Sequence, residues 1–302
     1  EAVPAGFEAA VTPDEHAKAA AYTVAGQRLG MVEAGFDAIL LLWLTLGGGI
    51  AWVGSMVARL VDAPLPAGTL HVLGVFAVLS LLSLPFGLYR TFVLEARFGF
   101  NRTSPRVFVA DTLKSWALGL ILGGAVVACV LWIMASAGRA WWVVGWLAWL
   151  AFTLAITWAW PRILAPLFNK FSPLEDPSLR ARIDALLERC GFHARSIFVM
   201  DGSRRSSHGN AYFTGLGREK RIVFFDTLLE SLTPAQVESV LAHELAHFRL
   251  RHVPQRLVVG ALLSLAGFAL LGWLALQPWF YTALGVPAAS DAAALLLFIL
   301  VT

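Results

Sequence analysis

Val240-Leu241-Ala242-His243-Glu244-Leu245-Ala246-His247-Phe248 is the stretch on which the reading of this chain turns. It contains H-E-x-x-H within apolar flanks. On a helix, positions i and i+4 share a face, so the imidazoles of His243 and His247 can reach one metal ion. Glu244, next to the first His, can lean over a water held by that metal. Zinc lowers the pKa of such a water from about 15.7 to roughly 7, and a carboxylate can then take its proton. The pattern implies metal-assisted peptide hydrolysis, with His243 and His247 ligating one Zn2+ per chain and Glu244 as general base.

The surroundings extend the reading. Thr233-Pro234-Ala235-Gln236 supplies an N-cap, a proline at the first helical position and a capping-box glutamine. The helix it starts is predicted to run to about Arg251, with Pro254 bending or ending it. His252 lies roughly 140° around such a continuous helix from His247 and is predicted to face elsewhere. Upstream, Asp176–Cys190 reads as a helix with Leu179, Ile183, Leu186 and Leu187 on one face. Ser196–Met200, Asn210–Thr214 and Ile222–Phe225 read as strands, the last two joined by a polar turn over 215–220. An edge strand beside a metal can hold an extended peptide by backbone pairing. That makes Asn210, Ala211 and Tyr212 candidate substrate-binding residues. The Asn210 amide can also bond a substrate carbonyl or the oxyanion. His208 and Tyr212 have two readings, oxyanion support or packing.

Outside this region the chain is apolar. It is 58% hydrophobic and 14% charged with twelve Trp, against about 45–50% apolar and 25% charged in soluble domains. That composition makes it an integral membrane protein, and the small net charge of +3 gives no case for nucleic acid. Spans are predicted at about Gly35–Leu60, Thr69–Phe92 (with Pro85 kinking it), Leu113–Ala135, Trp141–Leu164 and Val253–Leu276. A sixth begins near Ala288. Residues 1–34 read as mixed and weakly helical, with a helix start at Thr12-Pro13-Asp14-Glu15. The organisation is therefore 1–164, a membrane region of four spans; 165–252, a small α+β zinc-protease domain; and 253–302, a second membrane region. The loop carrying Arg90, Arg97, Arg102, Arg106 and Lys114 and the long polar stretch are basic, which places them and the H-E-x-x-H domain in the cytoplasm. Arg97, Asn101, Asp111 and Lys114, near membrane boundaries, suit either a pairing network or a solvated loop. Trp141, Trp142, Trp146 and Trp149 are expected to form an interfacial, lipid-facing belt. The glycines at 47–49 and 123–124 are expected to permit close helix contact. Cys129 and Cys190 show no disulfide or metal spacing.

Both ends look cut. The chain opens on Glu1 and stops at Thr302, about ten residues into an apolar run, where a span needs roughly 20. Open zinc sites use three protein ligands. Beyond Phe248 the only acidic residue is Asp291, at the far mouth of the sixth span, so the third ligand is expected beyond Thr302.

Three stretches resemble the CAAX prenyl protease type 1 family of multi-spanning zinc endopeptidases. They are Arg97-Phe98-Gly99-Phe100-Asn101-Arg102-Thr103 with Asp111-Thr112-Leu113-Lys114; Arg205-Ser206-Ser207-His208-Gly209-Asn210-Ala211-Tyr212-Phe213-Thr214-Gly215; and Lys220-Arg221-Ile222-Val223-Phe224-Phe225-Asp226-Thr227-Leu228-Leu229. The resemblance implies a mainly α polytopic membrane protein, a ring of seven transmembrane helices around a water-filled chamber. The zinc helix would close that chamber on the cytoplasmic side. It makes His243 and His247 ligands and Glu244 the base. It implies a third ligand from a Glu in an E-x-x-A-D-type segment beyond the last span, and a first helix upstream of Glu1. Its substrates would be peptides or proteins, prenylated ones included.

The rival within the class is a bacterial stress-response membrane zinc protease for quality control, which has fewer spans and should lack the Phe98–Asn101 loop. A transporter would need charges well inside the spans, which are almost charge-free. A structural zinc site would be closed and usually cysteine-rich. The Ala-, Gly-, Leu- and Arg-rich composition points to a GC-rich bacterium and hence an inner membrane.

Overall fold

The computed structural model describes residues 6, 11–192, 196–214, 221–286 and 288–302. The chain forms two compact units, residues 1–101 with 274–302, and residues 102–273.

In the first unit, α1 (Pro13–Leu44) starts where the capping sequence lies. Thr12 Oγ1 accepts the Glu15 amide at 3.2 Å, and the Glu15 carboxylate accepts the Thr12 amide at 2.9 Å. Residues 13–34 of the segment expected to be weakly helical are thus part of a 32-residue helix. The expected single span over Gly35–Leu60 is instead broken. Helix α2 (Gly49–Ala58) leaves α1 at 56°. The glycines at 47–49 make this break rather than a helix contact: a Cβ on Gly47 would lie 2.6 Å from the Trp43 carbonyl oxygen, and Gly48 has φ +78°, a region closed to most L-residues.

Helix α3 (Pro64–Phe98) runs on through Pro85 and widens into a π turn over Arg90–Glu95. Tyr22 donates to Glu95 at 2.5 Å and Arg90 pairs with Glu33 at 2.6 Å, tying this turn to α1.

The second unit holds α4 (Pro105–Ser136) and α5 (Gly138–Phe168), which pack as a hairpin, and α9 (His252–Leu274). α5 packs on α9 through small-against-large contacts. A Cβ on Gly145 would meet Phe268 at 3.0 Å, one on Gly272 would meet Trp142 at 3.1 Å, and Trp146 Nε1 donates to the Ala261 carbonyl at 3.0 Å. Trp142 and Trp146 therefore serve this seam and Trp141 is buried, so these three do not form the expected lipid-facing belt, whereas Trp149 is exposed. Gly123 has open space around it, so it too is not a contact glycine.

Among the described residues four helices are long and apolar enough to cross a membrane, and five if the bent α1–α2 pair is one span. Only 11–22% of each single-helix span's apolar window is buried inside the protein. The remaining apolar surface is far more than a water-soluble protein leaves exposed. Lipid is the medium that covers it, and the helix, with its backbone bonds internal, suits that medium. The chain is an integral membrane protein.

Between α5 and α9 lies a small α+β layer. Its elements are β1 (Phe171–Pro173), α6 (Pro177–Arg189), β2 (Ser196–Met200), β3 (Ala211–Thr214), β4 (Arg221–Phe225), α7 (Asp226–Ser231) and α8 (Pro234–Arg249). The sheet order is β1-β2-β4-β3, with β2–β4 parallel and the outer pairs antiparallel. β1 has no periodicity of its own and was not anticipated; it exists because Phe171–Pro173 pairs with Phe198–Met200. Strand alternation turns Ile197, Ala211, Ile222 and Phe224 to one face, against Leu179, Ile183, Leu186 and Leu187 of α6. Asp176 caps α6 by accepting the Ser178 and Leu179 amides. The turn expected over 215–220 lies outside the described residues.

The last two helices belong to the first unit. They are α10 (Pro278–Ala283), which was not anticipated, and α11 (Asp291–Val301), capped by Ser290 and packed on α3.

Candidate metal centre

The capping box predicted for α8 is formed. The Thr233 amide donates to Gln236 Oε1 at 2.9 Å and the Gln236 amide to Thr233 Oγ1 at 3.4 Å. Val237, Leu241 and Leu245, four residues apart, enter the core of the α+β layer. Glu238 pairs with Arg182 at 3.0 Å and Arg189 at 2.9 Å, both on α6. Arg182 first, then Arg189, holds the Glu238 carboxyl below its ordinary 4.5. With one face buried and its flank clamped, α8 turns the remaining face outward. His243 is exposed there, and Glu244 and His247 are half-buried.

The two imidazoles lie edge to face with centroids 4.9 Å apart. α8 ends at Arg249 rather than Arg251, before Pro254. Arg251 takes φ +55°, and α9 starts afresh at His252. Pro254 falls in the first turn of α9, where its missing N–H costs nothing. This break overturns the expectation for His252, which assumed a continuous helix. The left-handed residue swings His252 back, and its Nδ1 lies 2.8 Å from His247 Nδ1.

These residues fit zinc as part of a site. Two neutral imidazoles one turn apart are the donors that zinc takes. His247 has Nδ1 engaged by His252, which leaves Nε2 for a metal. Among the described residues no group of three or more His, Cys, Asp or Glu converges to hold a metal.

Strand β3 is the sheet's outer strand and packs beside α8. The Phe225 amide donates to the Asn210 carbonyl at 2.9 Å. Antiparallel strands alternate the direction of their backbone groups. Asn210 and Tyr212 therefore bond β4, while Ala211 and Phe213 direct N–H and C=O to the outer edge. The Ala211 amide is already taken, by Asn210 Oδ1 at 2.8 Å. That fixes the Asn210 side chain with its NH2 as the remaining donor.

Tyr212 turns to the face opposite the core. There it lines an apolar cavity of about 100 Å3 with Pro161, Pro166, Phe198 and Val223. Its hydroxyl approaches Met200 Sδ at 4.0 Å, and burial pushes its pKa up. The backbone of His208 is held by Thr227 Oγ1, which donates to its carbonyl at 2.9 Å, while the side chain is exposed.

Leading into β3, Arg205 bonds Asp111 Oδ2 at 2.8 Å, Asn169 Oδ1 at 2.9 Å and the Phe168 carbonyl at 2.6 Å. Lys114 donates to the Leu167 carbonyl at 2.8 Å. Asp111 and Lys114 thus belong to a pairing network that joins α4, the end of α5 and the approach to β3. Arg205, Phe213 and His252 carried no signal in local spacing; each matters through a partner distant in sequence or through a backbone break.

Apolar spanning helices, an H-E-x-x-H helix backed by a sheet, and an outer strand beside it make up the architecture of a membrane-embedded metallopeptidase. The chain belongs to the CAAX prenyl protease family: residues 1–170 match "CAAX prenyl protease N-terminal, five membrane helices" and residues 173–300 match "Peptidase family M48". M48 peptidases are metallopeptidases, generally zinc-dependent. The chain is 38% identical over 196 residues to the CAAX prenyl protease 1 homolog of Arabidopsis thaliana, covering 65% of this chain and 46% of that one. It is 37% identical over 246 residues to CAAX prenyl protease 1 of Saccharomyces cerevisiae, covering 77% and 54%. The chain spans about half the length of the curated relatives it matches. Its fold superposes on the crystal structure of S. mikatae Ste24p with TM-score 0.90 and 29% identity, over 99% of this chain and 73% of that one.

Proposed function

We propose that this chain carries the membrane region and most of the active site of a zinc endopeptidase that cuts peptide bonds in extended, membrane-associated substrates. The observation that carries the reading is the pairing of His243 and His247, rings 4.9 Å apart on an outward face, beside the outer strand β3. His243 and His247 would hold one zinc ion, with a third ligand from outside the described residues. The bound ion would supply a water acidic enough to deprotonate near pH 7 and a positive charge for the developing oxyanion.

The chain's own groups do the rest. Glu244 accepts the water's proton and hands it to the leaving amine. The Ala211 carbonyl and the Phe213 N–H and C=O pair with an extended peptide, which holds it without reading its side chains. The Asn210 NH2, aimed by its own Oδ1 bond, donates to the substrate carbonyl as it becomes an oxyanion. Tyr212 contributes by backbone and packing. His208 stands at the strand entrance as a support residue.

Residues 1–164 and 253–302 embed the enzyme, and residues 165–252 form the catalytic domain, facing the cytoplasm by the positive-inside bias of the loops. The likeness to Ste24p supports a ring of helices enclosing a chamber, and the curated relatives' names support CAAX-type prenylated substrates. Composition supports a bacterial inner membrane. The test is cleavage of a prenylated CAAX peptide beside a generic unfolded peptide by the intact gene product, with and without chelator. Glu244→Gln should keep zinc and lose cleavage about 10²–10⁴-fold. Full activity in that variant removes Glu244 from the base role; equal cleavage of both peptides removes the prenyl preference.

A further inference from the structure

We infer that His252 is a positioning residue for His247, fixing its tautomer and ring orientation so that Nε2 faces the metal. The inference rests on the proposed zinc-ligand role of His247.

His247 and His252 approach through their Nδ1 atoms at 2.8 Å, with ring centroids 5.0 Å apart and planes at 48°. Two imidazole nitrogens at that distance share one proton, since a neutral ring has one donor and one acceptor. A ring that ligates a metal through Nε2 must carry its proton on Nδ1. Chemistry therefore assigns the direction: His247 Nδ1–H donates, His252 Nδ1 accepts, and His252 keeps its own proton on Nε2. Metal-bound histidines generally have their second nitrogen held in this way, most often by a carboxylate or a carbonyl. Here a second imidazole takes that place.

The backbone is built to deliver it. A continuous helix would carry His252 about 140° away from His247. Instead α8 stops at Arg249, and Arg251 adopts φ +55°. A non-glycine residue in the left-handed region is held there by its surroundings. The conformation is closed on both sides by bonds of Leu250 to Ala246 at 2.9 Å and of Gln255 to Arg251 at 3.1 Å. The break that starts the membrane helix α9 is thus the same feature that aims the second imidazole. This couples the metal site to the position of a span.

The experiment is zinc affinity of the purified full-length protein in detergent, measured by competition with a chromophoric chelator. It compares wild type with His252→Leu, His252→Gln, Arg251→Gly and Arg251→Val. Loss of a group of this kind costs about 10–100-fold in metal affinity. His252→Leu should weaken zinc binding by that factor without moving the unfolding temperature of the metal-free protein. His252→Gln, whose carbonyl can accept the Nδ1–H, should restore most of it. Arg251→Gly should bind like wild type, and Arg251→Val, which resists positive φ, should weaken binding as His252→Leu does.

Wild-type affinity in His252→Leu overturns the inference, as does equal loss in Leu and Gln variants accompanied by a lower metal-free unfolding temperature. If His252→Leu fails to fold, the Gln and Arg251 variants decide by the same criteria. A wild-type protein that binds no zinc refutes the metal-site reading itself, a different result from wild type binding zinc and His252→Leu binding it equally.

Discussion

Replacing Arg205 by Met, alone and together with Asp111→Asn, measures how firmly the approach to the substrate strand is tied to the membrane helices. The guanidinium has three partners: Asp111 on α4 at 2.8 Å, Asn169 at 2.9 Å and the Phe168 carbonyl at 2.6 Å. The Arg205 carbonyl also accepts the Arg102 amide and the Thr103 hydroxyl, both at 3.0 Å. Breaking a fully buried ion pair costs about 3–5 kcal/mol, because a charge is left unpaired. Here the two side chains are 24% and 23% exposed, so water can reach part of what is lost. We expect about 2 kcal/mol for Arg205→Met after that discount. Asp111→Asn alone should cost about 1–2 kcal/mol, and the double variant should fall short of the sum by roughly 1 kcal/mol. Arg205→Lys should recover only part of the loss, since a single ammonium cannot serve three acceptors arranged for a planar fork. The assay is reversible denaturant unfolding of the solubilised full-length protein, read by Trp fluorescence. Costs that add to within about 0.3–0.5 kcal/mol would refute the pairing and leave Arg205 an ordinary boundary cation.

Three further predictions concern the metal helix and its strand. Leu241→Ala, at a fully buried position two residues before His243, should destabilise by about 3 kcal/mol and weaken zinc binding; a change under about 1 kcal/mol would mean α8 is not anchored through this side chain. The Glu238 carboxyl is held below its ordinary 4.5 by Arg182 and Arg189. Its stabilisation is therefore complete above that value and disappears as pH falls through the lowered one. Glu238→Gln should accordingly be less stable than wild type at pH 7, with the gap closing in acid, and a gap independent of pH would contradict the clamp. Asn210→Ala should lower kcat by about 10²-fold with little change in KM if its NH2 meets the oxyanion; an effect on KM alone would make it a ground-state contact.

Much was legible without coordinates because it is local. The capping boxes at Thr12 and Thr233, the buried face of α6 and the i, i+4 histidines depend on residues within one or two turns, and the structure has them where spacing puts them. The spans were legible because a lipid medium demands long apolar helices whose backbone bonds are internal, a requirement written along the chain itself. The side of Trp142 and Trp146, the clamp at Arg205 and the turn of His252 toward His247 were not legible. Each depends on a partner far along the chain or on one residue's backbone angle. Arg251 has nothing in its side chain that demands φ +55°; it sits where α8 closes with the Leu250–Ala246 bond and α9 opens with the Gln255–Arg251 bond. Local pattern determined which chemistry this protein could hold and what medium it lives in. Tertiary contact alone decided which side chains clamp the approach to the edge strand and which one stands behind the second ligand, because those are choices among neighbours that the chain meets only when folded.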